Sequence, residues 1–312
     1  MPSRLLRVAS DRIPAPPPDL VSALRRWIGP SADSWLEGLP GLMTKLAGLW
    51  HLHFDEVLAG GSTSMVVAAR SPAHGPVVLK VPCPDRENQF ESDALREYGG
   101  DGAISLLEFD PSSRALLLER AIPGSPLSEM SDLSRALEVA CLILVRLRRT
   151  LRSPPDIPRC SEFLDGWLER ASSAIASSPT ASRAPLARGV EVGRRLTAGD
   201  GPDLLVNRDA HLGNFLRSER SGWLLIDPKP MLGEAAFEGG FLLLDLMART
   251  SAPGQRETAT LLHGVATGLG VAEDRTLAWA LMRALENADW ARSVGEDPET
   301  WESRAVLLAR LS

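Results

Sequence analysis

The residues best suited to chemistry lie in one short segment between positions 207 and 227. It begins Asn207-Arg208-Asp209-Ala210-His211-Leu212-Gly213-Asn214 and continues to an apolar run that ends at Asp227. Asp209, followed five positions later by Asn214, supplies from one loop a base for a hydroxyl proton and an oxygen ligand for a metal. Asp227 adds a carboxylate for Mg²⁺, which prefers hard oxygen ligands. Phosphoryl transfer needs this set, because the protein has to position a nucleophile and neutralise charge.

The chain between these groups predicts a β-hairpin. Residues 215–217 and 223–225 have the composition of strands, and residues 219–222 have that of a turn. We therefore expect Asn214 and Asp227 at the same end of the hairpin. The alternative is that Asp209 and Asn214 only stabilise a turn, as these residue types often do. The short D-x-x-x-x-N spacing alone leaves the two interpretations even.

A lysine inside an apolar strand adds a candidate phosphate-binding group. Lys80 lies in the run Val77-Val78-Leu79-Lys80-Val81. A lysine between core positions is paired or functional; in a kinase it would contact the α- and β-phosphates and pair with Glu91 of the next helix. The turn Gly60-Gly61-Ser62-Thr63-Ser64 offers backbone N–H groups and hydroxyls to phosphates. The alternatives are an ordinary edge-strand lysine and a turn that binds nothing.

Hydrophobic periodicity predicts an α+β fold with a β-rich first part and a mostly helical second part. Strands are expected near residues 52–58, 65–69, 77–81, 104–109 and 115–119, with helices at 31–46 and 86–98. The first thirty residues are expected to form an irregular arm, Ser31 to cap the helix that follows, and Pro40 to interrupt or kink that helix. Ser131 is expected to cap the first helix of the second part, and residues 173–185 to form a mobile loop. The predicted lobes are residues 1–119 and 120–312, joined by a hinge near 120–123.

Composition excludes several classes of protein. The formal net charge of -6 argues against a general nucleic-acid binder. Three cysteines without paired spacing indicate reduced thiols and a cytoplasmic protein. The N-terminal segment is not a signal peptide, and no apolar run is long enough to span a membrane. We expect a monomer or weak dimer.

The order of these motifs resembles the aminoglycoside phosphotransferase branch of the protein-kinase-like fold. More narrowly, the chain is similar to the family of streptomycin 6-kinases and hydroxyurea-resistance kinases, from about Trp35 to about Trp290. The stretches that carry the likeness are Glu97-Tyr98-Gly99-Gly100-Asp101-Gly102, Ala115-Leu116-Leu117-Leu118-Glu119-Arg120 and Trp223-Leu224-Leu225-Ile226-Asp227-Pro228-Lys229-Pro230.

The resemblance implies a two-lobe fold, with a small antiparallel β-rich N-lobe and a mostly helical C-lobe, that uses ATP and Mg²⁺. Asp209 would be the catalytic base, Asn214 and Asp227 would hold Mg²⁺, and His211 would be structural. Lys80 would bind the phosphates, and Glu91 would orient it. The full set that the resemblance assigns to ATP is Lys80, Glu91, Gly61, Ser62, Thr63, Glu119 and Ala121, with the main chain of residues 119–121 contacting adenine.

Two departures from the family pattern concern the substrate and the level of activity more than the fold. Asn207-Arg208 stands where the family usually has His-Gly or His-Trp, so a cation adjoins the base while asparagine can still hydrogen-bond the loop. Glu234 and Glu238 stand where the family commonly has aspartate, in Gly-Asp-Pro and Phe-Asp.

Carboxylates that would meet an ammonium or guanidinium group define the candidate acceptor site. Glu234 and Glu238 are four residues apart, and Glu286 and Asp289 are three apart, so each pair would share one face of a helix. The alternative is a solvated helix face.

The sequence therefore predicts an ATP-dependent O-phosphotransferase. Its acceptor would be a small, hydroxylated and cationic aminoglycoside-type antibiotic, similar to streptomycin, and the reaction would confer resistance. One alternative is a kinase of a sugar or another small metabolite. Another is a nucleotide-binding pseudokinase, which the joint presence of Lys80, Asp209, Asn214 and Asp227 disfavours.

Overall fold

The computed structural model describes residues 13–58, 63–85, 88–151, 156–175, 180–198, 203–250 and 253–312. The chain divides into two compact units: Met1–Gly100 with Ile104–Ala121, and Asp101–Ala103 with Ile122–Ser312. Across the described ranges, no helix combines the length and the apolar character needed to cross a membrane.

The first unit is built on a five-stranded antiparallel sheet in the order β1-β2-β3-β5-β4. Apolar residues on alternate positions of β3 (Val77, Leu79 and Val81) are fully buried in the core, as a period of two requires. The predicted strands are confirmed. The elements are α1 (Pro18–Trp27), α2 (Ser31–Trp50), β1 (His53–Val57), β2 (Ser64–Ser71), β3 (Gly75–Pro82), α3 (Glu91–Tyr98), β4 (Leu106–Asp110) and β5 (Ala115–Glu119).

The prediction of an irregular N-terminal arm is wrong for residues 18–27, which form α1. Pro18 occupies the first turn of this helix, where its fixed φ and missing N–H cost nothing. Leu20 and Leu24 are four apart, share one face and are buried in the core of the unit. The helix therefore forms because it has an apolar stripe to bury.

Helix α2 is longer than expected and continues through Pro40. Pro40 cannot donate to a carbonyl one turn earlier, yet Leu39, Met43 and Leu46 bury one face of the helix on both sides of it. Tertiary packing therefore outweighs the missing bond. Ser31 is the first residue of the helix rather than its cap, which is Pro30.

The second unit contains two three-stranded sheets, ordered β10-β9-β6 and β11-β8-β7, and seven α-helices within the described ranges. Its strands are β6 (Pro123–Pro126), β7 (Arg149–Thr150), β8 (Leu204–Asn207), β9 (Phe215–Ser218), β10 (Gly222–Leu225) and β11 (Pro230–Gly233). Its helices are α4 (Leu133–Leu147), α5 (Cys160–Ile175), α6 (Thr180–Arg194), α7 (Ala236–Arg249), α8 (Gln255–Leu269), α9 (Glu273–Ser293) and α10 (Glu299–Ala309).

Two local expectations for this unit are wrong. The segment predicted as a mobile loop is helical at both ends, because α5 continues to residue 175 and α6 begins at 180. The cap of α4 is Asp132, whose side chain accepts the N–H of Arg135 at 3.0 Å, and not Ser131. Cys141 on α4 is buried, and burial raises the pKa of its thiol to about 12.

Helices α7 and α9 pack closely against each other next to the site. A Cβ atom on Gly240 would lie 2.6 Å from the backbone nitrogen of Ala280, so the two helix backbones approach closely only because this position has no side chain. Phe237 packs edge-on against Trp279, with ring centroids 5.1 Å apart. This contact holds α7, which carries several site residues, against α9.

Candidate active site

The predicted hairpin is confirmed, and it brings the two candidate metal ligands together. Strands β9 and β10 pair antiparallel, with Phe215 opposite Leu225. The N–H of Ile226 donates to the carbonyl oxygen of Asn214 at 2.8 Å, which extends the ladder by one bond. Asn214 therefore enters the hairpin where Asp227 leaves it. Asp227 has a φ of 49°, a left-handed conformation that is uncommon for a residue other than glycine.

The loop that carries Asp209 is closed by hydrogen bonds at both ends. The side-chain Nδ2 of Asn214 donates to the carbonyl oxygen of Asp209 at 3.0 Å, so the Oδ1 atom of the same amide remains as the oxygen for a metal. Nδ1 of His211 accepts the N–H of Gly213 at 3.1 Å. His211 thus stabilises the turn.

Asp245 of α7 holds the loop of Asp209 through a hydrogen bond, and this role was not predicted. Its Oδ2 atom accepts the N–H of Leu212 at 2.9 Å and pairs with Arg249 at 3.0 Å. In the sequence, Asp245 is a single acid in the apolar run Leu242-Leu243-Leu244-Asp245-Leu246-Met247. An acid flanked on both sides by apolar residues is the sequence signal that could have identified it.

Asn207 connects the catalytic loop to the loop after Asp227. Its Oδ1 atom accepts the N–H of Asp209 and the N–H of Lys229, each at 3.0 Å. Its own N–H donates to Oε1 of Glu238 at 2.8 Å. The residue is fully buried, so these bonds are shielded from water. Sequence reasoning expected a hydrogen bond to the loop from this position but not a link to a second loop.

The cation beside Asp209 is Lys229, which was not predicted. Nζ of Lys229 lies 3.0 Å from Oδ2 of Asp209. Arg208, which was expected to add its charge next to the base, pairs instead with Glu286 at 2.9 Å and lies over the ring of Phe163. Arg208 and Asp209 lie in the turn that follows β8, and in this turn the two adjacent side chains have different partners.

In the first unit, Lys80 and Glu91 form a buried ion pair. Nζ of the lysine lies 2.7 Å from both carboxylate oxygens, and both side chains are more than nine-tenths buried. A charge buried in this way has to be paired. The arrangement leaves the ammonium in a fixed place at the end of an apolar strand.

The remaining residues predicted to bind nucleotide fall partly outside the described ranges. Gly61 and Ser62 lie outside them. Thr63 directly precedes β2, and its carbonyl oxygen accepts the N–H of Cys83 at 2.9 Å. The N–H of Glu119 donates to the carbonyl oxygen of Ser105 at 3.0 Å, so an adenine contact at that residue would have to use its carbonyl oxygen. Ala121 is the last residue of the first unit and is partly exposed.

The four candidate acceptor carboxylates are all engaged within the second unit. Glu234 precedes α7 rather than lying on it, so the prediction that it shares a helix face with Glu238 is wrong. Its side chain pairs with Arg275 at 2.8 Å and accepts the indole N–H of Trp279 at 2.6 Å.

Helix α9 carries the other predicted pair. Glu286 lies between two guanidinium groups, those of Arg208 at 2.9 Å and Arg283 at 2.7 Å. Asp289 pairs with Arg170 at 2.7 Å. Both acids therefore have internal cations as partners.

Glu238 on α7 is buried and is a poor candidate for a charged contact. Burial raises the pKa of its carboxyl to about 8, while the hydrogen bond from Asn207 and the charge of Arg148 act in the opposite direction. The group is therefore mostly neutral at pH 7. Its role in the structure is to accept the main-chain N–H of Asn207.

The donor set fits a magnesium ion bound with substrate phosphates. Mg²⁺ in such sites takes one or two protein oxygens and fills its other positions with phosphate oxygens and water. Asn214 and Asp227 offer an amide oxygen and a carboxylate from the same end of the hairpin. Over the ranges that the structure describes, no group of three or more His, Cys, Asp and Glu side chains could hold a metal by itself.

Known proteins resemble this chain over most of its length. A hydroxyurea phosphotransferase from Kitasatospora aureofaciens is 32% identical over 282 residues, which cover 90% of this chain and 81% of that protein. A streptomycin 6-kinase from Streptomyces griseus is 29% identical, with 90% and 92% covered. A thermostable mutant of aminoglycoside phosphotransferase APH(4)-Ia, solved with ADP and hygromycin B, has a similar fold. It aligns with a TM-score of 0.59 at 13% identity, covering 85% of this chain and 97% of the other.

The chain has the protein-kinase-like fold of the solved structures that it resembles: its first unit carries the buried pair of Lys80 and Glu91, and its helical second unit carries the loop of Asp209 and Asn214. Residues 49–295 match the family model described as aminoglycoside/hydroxyurea antibiotic resistance kinase. The chain belongs to this family. The predicted family, the α+β kinase-like fold and the kinase class are therefore confirmed.

Proposed function

We propose that this protein transfers the γ-phosphate of ATP to a hydroxyl group of a small antibiotic molecule. The observation that carries the proposal is the linked pair of loops in the second unit. One loop presents Asp209 and Asn214, the other presents Asp227, and the buried oxygen of Asn207 accepts a main-chain N–H from each. Such a link fixes the proposed base and the two proposed metal ligands relative to one another. Phosphoryl transfer requires this kind of positioning.

Each predicted site residue has a role in this proposal. Asp209 accepts the proton of the acceptor hydroxyl, and Asn214 and Asp227 hold Mg²⁺. The ion would neutralise charge on the β- and γ-phosphates. Lys80, fixed by Glu91, binds the α- and β-phosphates. The other proposed contacts to ATP are Gly61, Ser62, Thr63 and the main chain of Glu119 and Ala121.

Two classes of acceptor are compatible with the family. The first is the predicted aminoglycoside-type antibiotic, in line with the 29% identity to a streptomycin 6-kinase. The second is hydroxyurea, in line with the 32% identity to a hydroxyurea phosphotransferase. A specific observation favours the second class. Every carboxylate predicted to meet a polycation is engaged by an arginine or buried: Glu234, Glu238, Glu286 and Asp289. An uncharged acceptor does not need them.

An acceptor panel tests the proposal. The purified protein is incubated with Mg-ATP and, separately, streptomycin, other aminoglycosides, hydroxyurea and simple sugars. ADP release and phosphorylated product are followed by a coupled assay and mass spectrometry. We expect product with an antibiotic of the first or second class. Product with sugars alone would replace the proposal by a metabolite kinase.

The nucleotide site is tested separately. Mg-ATP should raise the melting temperature of the wild-type protein but not of Asp227→Ala, while the exposed-site control Asp33→Ala should respond as the wild type does. Stabilisation by Mg-ATP without any phosphoryl transfer would favour a nucleotide-binding pseudokinase.

A further inference from the structure

Lys229 is held beside the proposed base by its backbone as well as by its charge. Its Nζ atom lies 3.0 Å from Oδ2 of Asp209, and 25% of the lysine side chain is exposed. Its N–H donates to Oδ1 of Asn207, and its carbonyl oxygen accepts the N–H of Arg208 at 2.8 Å. The backbone of Lys229 is therefore fixed close to Asp209, whereas the backbone of a lysine in a chance surface ion pair need not be fixed.

The residues on either side restrict the backbone further. Pro228 and Pro230 flank the lysine, and proline fixes φ near −65°. Strand β11 begins at Pro230 and pairs with β8, with Pro230 opposite Asn207. The ammonium group thus projects from a rigid segment two residues after the proposed metal ligand Asp227.

The composition of the chain makes a lysine at this position informative. Among 34 basic residues only three are lysines, Lys45, Lys80 and Lys229; the other 31 are arginines. Lysine and arginine are not interchangeable, because the ammonium is a compact point charge with three donors whereas the guanidinium is a broad planar fork. A chain that uses arginine almost everywhere has its two best-buried lysines at Glu91 and at Asp209.

We propose that Lys229 is a further catalytic residue, whose ammonium group donates at once to Asp209 and to a non-bridging oxygen of the γ-phosphoryl group in transfer. The inference rests on the proposed function. In the step, the acceptor hydroxyl gives its proton to Asp209 and its oxygen forms a bond to the γ-phosphorus. The bond from that phosphorus to the β,γ-bridging oxygen breaks, and ADP leaves. Lys229 keeps its proton throughout and neutralises charge on the oxygens of the transferring group.

A lysine that only held Asp209 in place would have a different signature. Both roles predict a loss of turnover when the lysine is removed. Only the catalytic role predicts a loss of affinity for a planar mimic of the transferring phosphoryl group, because such a mimic contacts the ammonium directly. The test therefore measures the affinity for ADP with and without aluminium fluoride, in the presence of Mg²⁺.

The variants are Lys229→Met, Lys229→Arg and the control Lys45→Met, which removes a mostly exposed lysine of α2. Turnover is measured with streptomycin and with hydroxyurea as acceptors. In Lys229→Met we expect kcat to fall about 100-fold or more, the scale of losing one preorganised donor. The affinity for ADP alone should be unchanged, and the tightening of ADP by aluminium fluoride should disappear. Lys229→Arg should restore part of both, and Lys45→Met should match the wild type.

Two results would overturn the assignment. The first is a Lys229→Met protein that is folded by circular dichroism and turns over normally. The second is one that loses turnover but keeps the full effect of aluminium fluoride, which would make Lys229 a positioning residue. These outcomes differ from failure of the proposed function, in which the wild-type protein itself phosphorylates neither acceptor and shows no effect of aluminium fluoride. That last result would overturn both the proposed function and the assignment of Lys229.

Discussion

Ionisation of Glu238 should control how the stability of this protein depends on pH. The carboxyl is buried beneath the catalytic loop, and its pKa is raised from 4.5 to about 8. In the unfolded chain the group ionises near its ordinary pKa, whereas in the folded protein it stays protonated to higher pH. The folded state therefore binds more protons than the unfolded state between these two values. By linkage, stability from this group is fully present below pH 4.5 and is lost as the pH rises through 8.

The variant Glu238→Gln removes the titration while keeping an oxygen that can accept the N–H of Asn207. Between pH 6 and pH 7.5 the wild-type protein should lose about 2 kcal/mol of unfolding free energy relative to the variant, since the slope approaches about 1.4 kcal/mol per pH unit. Below pH 4.5 the two proteins should be similar, because the carboxyl of Glu238 is then neutral in both the folded and the unfolded chain; by pH 6 its ionisation in the unfolded chain has already cost the wild-type protein about 2 kcal/mol.

The assay is thermal unfolding of both proteins from pH 5.5 to 8.5, followed by tryptophan fluorescence. The quantity of interest is the difference in melting temperature, because the other titrating groups are common to both proteins. The neighbouring groups that respond to Glu238 are Cys141 and Cys160, whose pKa values are raised mainly by burial. Parallel curves for the two proteins would refute the reasoning, because they would show that Glu238 is ionised at pH 6 or is accessible to water.

Three further predictions address the base, the buried ion pair and the packing of α7. Asp209→Ala should lower kcat by at least about 100-fold, within the range for a general base, while isothermal titration shows ATP binding largely intact; near-normal turnover would remove the base assignment. Glu91→Ala should destabilise the protein by about 3–5 kcal/mol in denaturant unfolding, because it takes the carboxylate from a buried Lys80. The exposed pair of Arg25 and Asp33 provides the control, and Asp33→Ala should cost under about 1 kcal/mol. Equal losses of stability in Glu91→Ala and Asp33→Ala would mean that burial does not determine how much the pair of Lys80 and Glu91 stabilises the protein. Gly240→Ala should cost about 1–3 kcal/mol by overpacking, because its Cβ would lie 2.6 Å from a backbone nitrogen of α9. Gly41→Ala in α2 has no atom within 4 Å of the added group and should be neutral or stabilising by about 0.5–1 kcal/mol.

The sequence was most informative where the structure depends on short-range patterns. Alternating apolar residues predicted the strands of the first unit, and the turn residues between positions 215 and 225 predicted the hairpin of Asn214 and Asp227. The errors arose where long-range packing decides. Helix α1 exists because Leu20 and Leu24 bury a face in the core, and α2 continues through Pro40 for the same reason. Neither partner surface is visible in a local window of sequence.

The candidate site shows the same division. Residue types and spacing drew attention to Asp209, Asn214 and Asp227 and to the pair of Lys80 and Glu91, but the partners of the charged groups in the second unit could not be read from the sequence. Glu286 was taken as a contact for a cationic substrate, and the structure gives it two arginines as partners. Lys229 lies twenty positions from Asp209 along the chain, so its contact with the base depends on the pairing of β8 with β11. Side-chain partnerships of this kind depend on strand register and on which face each residue occupies.

The departure at position 207 bears directly on whether the site is active. In a pseudokinase, the Asn207-Arg208 departure from the family's usual histidine pair would mark lost catalysis. In the structure, however, Oδ1 of Asn207 accepts an N–H from the base loop and another from the metal loop, and Glu238 accepts the N–H of Asn207 itself. A side chain that had lost its role would not be expected to be fully buried with an oxygen that accepts two main-chain N–H groups, while its Nδ2 atom has no hydrogen-bond partner among the described residues. Asn207 therefore connects the two loops through its own side-chain oxygen. Asn207→Leu, which keeps the volume but removes the acceptor, should lower kcat far more than the affinity for ATP.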